Sequence, residues 1–367
     1  MKEYVVIESE VGGLKDAIVA AGKDYTKLQN LKITGEINAQ DFYFMRDSME
    51  MLQSLNLKEV IIRGYEQGIE GGGNMGTAYP HNDYEMPDLA MQGKSSLLRL
   101  VLPDKLTKIR VGAFADCQNL TGSLVIPEGV VSIEEGAFCN CKSLTGSLSL
   151  PSTLKEIGKG NDRWWFGNVF QGCGFVSELQ LPVNLEYIGD GDFEGCSGLY
   201  GELRLPDKLT YIGGFAFYGC KNLTGSIKIP QGVTEIKDRT FSCCGFNGTL
   251  ELHDGIIALG SDAFSESSFK GELVLPKNLT VIGTGVFYGC DFSGELKLPN
   301  EVRMIGDMAF AYNWRLMGVL EIPEGVLSIG AGAFAHCRSI EGVVFPESLE
   351  SIRYEPTYFE NGGAFEG

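Results

Sequence analysis

Polar and apolar residues alternate along this chain in short bursts rather than in long stripes. Two residues before a recurring proline stand Val125, Ser149, Gln180, Arg204, Lys228, Val274, Lys297 and Glu321, each flanked on both sides by Leu or Ile. Side chains of a strand point to opposite faces in turn, so each burst predicts a strand of three or four residues. The proline ends it, having no N–H to give the ladder. These anchors are Pro103, Pro127, Pro151, Pro182, Pro206, Pro230, Pro276, Pro299, Pro323 and Pro346, with His253 in the same place and Glu251 two residues before it. Their spacing is 23 or 24 residues, apart from one interval of 31.

Other positions keep the same period. Phe114, Phe138, Phe193, Phe217, Phe241, Phe264, Phe287, Phe310 and Phe334 follow the anchor by eleven residues, whereas Phe170 and Phe365 follow by nineteen. Those two repeats therefore carry eight extra residues. Gly122, Gly146, Gly201 and Gly225 begin a series five residues before the anchor, where the backbone must turn sharply. No amphipathic stretch long enough for a helix fits between turns, so the return side of each coil is expected to be extended or 3₁₀. A unit this short buries its Leu, Ile and Phe only against its neighbours, which makes a solenoid.

Before this repeat the pattern changes. Leu14, Ala17, Ile18 and Ala21 share one face of a short predicted helix, and Phe42, Met45, Met49 and Leu52 share one face of a second, with Asp41 placed to cap it. Leu31-Lys32-Ile33 and Leu55-Asn56-Leu57 read as strands on either side of that second helix. We read residues 1–86 as an N-terminal helical cap with a degenerate repeat and a long loop over 63–86, and residues 87–367 as the solenoid of about eleven coils. Met91 stands where the Phe belongs in a degenerate first coil.

Charge narrows the partners. Thirty Lys and Arg against 48 Asp and Glu give a net charge of −18, a field that repels nucleic acid and anionic membrane. No apolar run long enough to span a bilayer occurs, and the first twenty residues lack the basic start and apolar core of a signal peptide. Catalytic signatures are sparse. Gly71-Gly72-Gly73-Asn74-Met75-Gly76 satisfies G-x-G-x-x-G but is followed by Thr77-Ala78-Tyr79-Pro80 rather than a helix. His81, Asp83, Glu85 and Asp88 could surround a cation, but we read them as a solvated polar loop. His253 and His336 hold places within the repeat. We expect no enzyme, no metal and no cofactor.

Ten cysteines invite buried thiols, disulfides or a metal. Cys117, Cys141, Cys173, Cys196, Cys220, Cys244, Cys290 and Cys337 share the position three past the Phe, where Ser267 and Asn313 also occur. A small group bonded to a neighbouring carbonyl accounts for all three residue types; a disulfide framework does not, since Asn takes no part in one. Cys139 and Cys243 lie off the ladder and complete no zinc spacing. We take the ladder as structural.

The stretch from Leu120-Thr121-Gly122-Ser123-Leu124 to Gly136-Ala137-Phe138-Cys139-Asn140-Cys141 resembles the BspA-type (Treponema pallidum-like) leucine-rich repeat. The resemblance implies an α/β-type, mostly β solenoid: a right-handed leucine-rich repeat superhelix with short strands, 23–24-residue coils and a partly helical N-terminal cap. It further implies a bacterial exported or surface-anchored protein of the Bacteroides type, used in adhesion. The expected function is a non-catalytic protein, extracellular or on the cell surface and monomeric, that binds a protein on a host or bacterial surface. Its signal or anchor would lie outside this chain. The alternatives are a glycan-binding module that uses the Trp164/Trp165 loop and a structural envelope or spacer protein without a specific ligand.

Candidate contacts lie where the sequence departs from the repeat. The first insertion holds Arg163-Trp164-Trp165-Phe166, an aromatic cluster able either to anchor a partner or to fold back as a lid. Five residues past the anchor, Tyr187 and Tyr211 occupy adjacent coils, so their rings should stack on a face that is otherwise ordinary solvated surface. If the Phe row is the core, Phe217→Ala lowers stability by roughly 3–5 kcal/mol in denaturant unfolding; a loss below about 1 kcal/mol would place the core elsewhere.

Overall fold

The computed structural model describes residues 3–65, 80–160 and 168–353. The chain packs as two compact units, Met1–Leu185 and Glu186–Gly367; the boundary expected near residue 86 falls inside the first. Both units are built from short parallel strands stacked coil on coil, a mostly β solenoid.

In the first unit the strands are β1 (Val5–Ser9), β2 (Asn30–Ile37), β3 (Ser54–Ile62), β4 (Glu85–Met86), β5 (Arg99–Val101), β6 (Lys108–Ile109), β7 (Leu124–Val125), β8 (Ser132–Ile133), β9 (Leu148–Ser149) and β10 (Glu156–Ile157). β1, β2, β3 and β5 form one parallel sheet, in which Leu31 pairs with Leu55 and Leu55 with Leu100. β1 has no counterpart in the sequence reading. Through β5 this N-terminal sheet runs on into the strand row that precedes the anchor prolines. β4, β6, β8 and β10 make a second row, so Glu85–Met86 belongs to a strand and the loop expected over 63–86 is shorter than that.

Two helices pack beside the first sheet, α1 (Leu14–Ala20) and α2 (Ala39–Ser48). Asn38, not Asp41, is the N-cap of α2: its side chain accepts from the Gln40 N–H. Asp41 lies one turn inside and accepts from the Asn38 N–H at 3.0 Å, which closes a capping box. Its two oxygens also take the N–H groups of Gly12 and Leu14 at 2.9 and 3.0 Å. One buried carboxylate thus ties the start of α2 to the start of α1.

The second unit repeats one plan. Each coil contributes a two-residue strand five and six positions past the anchor. Tyr187–Ile188 pairs with Tyr211–Ile212, and a six-stranded sheet runs Glu235–Ile236, Ala258–Leu259, Val281–Ile282, Met304–Ile305, Ser328–Ile329, Ser351–Ile352. The inward residue of these strands, as at Ile212, Ile236, Ile282 and Ile305, is buried, except in the last, where Ile352 is exposed. This second strand row per coil forms where the sequence predicts only extended or 3₁₀ backbone. The expected row before the anchor is only two residues long at Ile227–Lys228 and Leu250–Glu251, and lengthens to Asp291–Glu295, Arg315–Glu321 and Ser339–Val344 in the last coils.

Phenylalanines fill the interior. Phe193, Phe217, Phe241, Phe264, Phe287, Phe310 and Phe334 stack in parallel with centroids 5.2–5.7 Å apart. A second buried column, Phe246, Phe269 and Phe292, meets the first edge-on. Coils approach so closely that a Cβ on Gly330 would lie 2.2 Å from the Asp307 nitrogen, so that position tolerates only glycine. Replacing Asp41 with Ala strands three main-chain donors and is expected to cost roughly 1–3 kcal/mol. Asp41→Asn recovers little, since its amide brings a donor among donors; full stability of Asp41→Asn in thermal melts would contradict this.

Candidate functional site

The turn that carries each Phe positions everything on this side of a coil. In all seven Phe turns of the second unit, the residues two before and two after the Phe have left-handed backbone. Glycine fills this place at Gly191, Gly195, Gly219, Gly285, Gly289 and Gly332, but Phe215, Arg239, Asp262, Met308, Cys243, Glu266, Tyr312 and His336 occupy it elsewhere, with φ between 54° and 63°. A non-glycine residue there costs about 1–2 kcal/mol, so side chains at these positions are held against the local backbone preference.

Three residues past the Phe, one position beyond the second left-handed residue, the ladder group bonds back to the previous coil. The thiols of Cys220, Cys244, Cys290 and Cys337 donate to the carbonyls of Phe193, Phe217, Phe264 and Phe310 at 3.1–3.3 Å. Ser267 Oγ and Asn313 Nδ2 make the same bond to Phe241 and Phe287 at 2.8 and 2.7 Å. In the first unit Cys117, Cys141 and Cys173 reach the carbonyls of Met91, Phe114 and Phe138. All ten cysteines are free thiols. Burial pushes the thiols of Cys117, Cys220, Cys244 and Cys290 well up, and that of Cys337 to about 12.

On the strand row, the Tyr187 and Tyr211 rings stack at 4.6 Å and 5°. Tyr211 Oη donates to Asp190 Oδ1 at 3.4 Å, and burial, with Asp190 adding to it, raises that phenol. Lys237, ion-paired with Glu235, acts electrostatically on the Tyr211 phenol. Trp164, Trp165 and Phe166 lie outside the described residues, as do the glycines at 71–76.

A groove of about 740 Å³ opens along the Phe turns of the second unit. Its lining includes Tyr218, Arg239, Ser242, Asp262, Ser265, Glu266, Tyr288, Asp307, Met308 and Arg353. Arg239 Nε pairs with Asp262 Oδ2 at 3.1 Å, while its guanidinium lies 5.5 Å from the Phe215 ring. Arg353 pairs with Asp307 at 2.9 Å. The Cys243 thiol donates to Glu266 Oε2 at 3.4 Å. Tyr312 stacks on His336 at 4.4 Å and meets Tyr288 edge-on. The groove's one trace in the sequence is the replacement of glycine by bulky residues on either side of the Phe.

A family model described as the BspA type leucine-rich repeat region matches residues 85–200, 166–290, 199–317 and 312–361, well over half of the chain. The chain belongs to the BspA-type leucine-rich repeat family. A leucine-rich repeat protein from Bacteroides ovatus is similar to this BspA-type chain at 25% identity, over 75% of this chain and 80% of that one, with a TM-score of 0.52. A leucine rich cell surface protein from Faecalibacterium prausnitzii aligns at 19% identity, over 99% and 86% of the two chains, with a TM-score of 0.44. The T. pallidum leucine-rich repeat protein aligns at 24% identity, over 49% and 68%, with a TM-score of 0.32. No curated protein matches. Among the described residues no group of three or more His, Cys, Asp or Glu could hold a metal ion, and no helix of this BspA-type chain is long and apolar enough to cross a membrane.

In the first unit the sequence predicts a solvated polar loop at His81, Asp83, Glu85 and Asp88. His81, Glu85 and Asp88 are instead buried, because Arg110 enters among them and pairs with both carboxylates at 3.0 and 3.1 Å. Asp83 stays outside with Arg63. Burial holds the His81 imidazole below its ordinary 6.5, and His81 Nε2 has no hydrogen-bond partner. The unfolded chain takes up this proton as pH falls through about 6.5, while the folded chain resists it, so stability is lost on acidification from that point. Between pH 7.5 and 5.5 the melting temperature of the wild type is expected to fall further than that of His81→Gln; equal falls would refute the assignment.

Proposed function

We propose that this BspA-type chain is a non-catalytic protein, exported or held at the cell surface, that binds a protein partner through the aromatic face of its solenoid. Family membership supports the repeat-protein and surface setting. The observation that carries the binding reading is the Tyr187–Tyr211 stack, two half-buried rings on adjacent coils, with Asp190 and the Glu235-paired Lys237 acting on Tyr211. Aromatic anchors within a polar rim are the arrangement that concentrates binding energy in a few residues. Main-chain pairing holds the two rings in register before any partner arrives, which lowers the entropy lost on association. The acidic surface favours basic patches on the partner and makes association salt-sensitive.

Surface attachment to immobilised extracellular-matrix and cell-surface proteins tests this reading. Tyr187→Ala/Tyr211→Ala is expected to weaken the strongest interaction by at least roughly tenfold with the far-ultraviolet spectrum intact. Trp164→Ala/Trp165→Ala, measured in parallel, decides whether the insertion contributes. Undiminished attachment of the tyrosine variant would remove this face from the account, and hydrolysis of any substrate would overturn the non-catalytic reading.

A further inference from the structure

The groove of the second unit has a regular floor. Tyr218, Ser242, Ser265 and Tyr288 each follow the Phe of consecutive coils, so two half-buried tyrosines stand three coil spacings apart with only small hydroxyl residues between them. At a strand spacing of about 4.8 Å this slot is roughly 14 Å long. Its volume, about 740 Å³, lies in the range of ligand pockets. Gly285 keeps one wall low, since a Cβ there would lie 2.2 Å from Asp262 Oδ1.

The polar groups along the slot combine donors and acceptors with little net charge. Arg239 with Asp262 and Arg353 with Asp307 form closed pairs, and Glu266 receives the Cys243 thiol. A guanidinium beside a carboxylate offers parallel donors and acceptors, the pattern that adjacent hydroxyl groups satisfy. Anions are disfavoured by three carboxylates against two guanidinium groups and by the overall charge of −18. Cations find Asp262 and Asp307 already paired with guanidinium groups, which leaves Glu266 alone to attract them. What remains is an uncharged ligand rich in hydroxyls with apolar faces for the tyrosine rings, and a pyranose ring is close to one coil spacing in length.

We propose that this groove binds a neutral oligosaccharide, one sugar ring per coil between Tyr218 and Tyr288. The bulky side chains in left-handed backbone fit this role: Arg239, Asp262, Glu266 and Met308 hold strained positions and line the groove. The site uses different side chains from the Tyr187–Tyr211 stack and does not rest on the protein-partner reading.

Calorimetric titration of the full chain tests the proposal with neutral tetrasaccharides of glucose, galactose, mannose and N-acetylglucosamine. A heparin tetrasaccharide and tetralysine serve as charged probes. At least one neutral tetrasaccharide is expected to bind, with an affinity unchanged between 0.05 and 0.5 M salt, tenfold or more weakened in Tyr218→Ala and in Tyr288→Ala, and unchanged in Tyr187→Ala/Tyr211→Ala. Arg239→Ala and Glu266→Ala remove exposed side chains outside the core, so they report on the groove even if a tyrosine variant fails to fold; each is expected to weaken binding at least threefold. The proposal falls if no neutral tetrasaccharide binds, if tetralysine or heparin binds instead in a salt-dependent way, or if folded groove variants bind as the wild type does.

Discussion

Everything in the second unit is measured against the distance from one coil to the next, and the Phe turn sets that distance. The N–H groups of Phe217, Phe241, Phe264 and Phe287 donate to carbonyls of the following coil at 2.9–3.0 Å, while their rings stack at 5.6–5.7 Å. Main chain and side chain therefore demand nearly the same spacing, and neither can relax alone. The closeness of Gly330 to Asp307, the bonds from Cys220, Cys244, Cys290 and Cys337 to the previous Phe carbonyl and the face-to-face tyrosines all follow from it. A solenoid gains its stability from such nearest-neighbour terms, because no coil has a core of its own.

The same constraint explains which features could be read in the sequence. A residue buried in every coil recurs with the period, so the anchors, the Phe row and the Cys row were visible without structure. The exchange of Cys for Ser267 and Asn313 even exposed the hydrogen bond, since only a donor to a carbonyl is common to all three. The strand row at Tyr211–Ile212 and its equivalents was harder, because two residues with one inward side chain carry too little alternation to register. Likewise Asn38 and Asp41 share the capping of α2, and both residue types suit either position.

The groove escaped sequence reading for a different reason. Its residues come from four turn positions spread over several coils, with Arg353 in addition, and no single coil shows the set. Glycine is the residue those turns favour, so each departure reads as ordinary variation until the coils are stacked and the departures fall side by side. Local preference and global arrangement disagree there, which is where function is to be sought in an otherwise consistent repeat. The first unit teaches the converse: His81, Glu85 and Asp88 look like surface chemistry in sequence, yet Arg110 satisfies the carboxylates in the interior.

The cysteine ladder has a consequence for the medium this protein can inhabit. Oxidation and disulfide exchange proceed through the thiolate. Burial keeps the thiols of Cys117, Cys220, Cys244, Cys290 and Cys337 protonated, and each spends its hydrogen on a carbonyl rather than presenting sulfur to an oxidant. At these five positions the folded chain is thus chemically quiet even under oxidising conditions. The hazard lies earlier, during synthesis and folding, when the same sulfurs are uncovered and any bridge between them would block the turns they belong to.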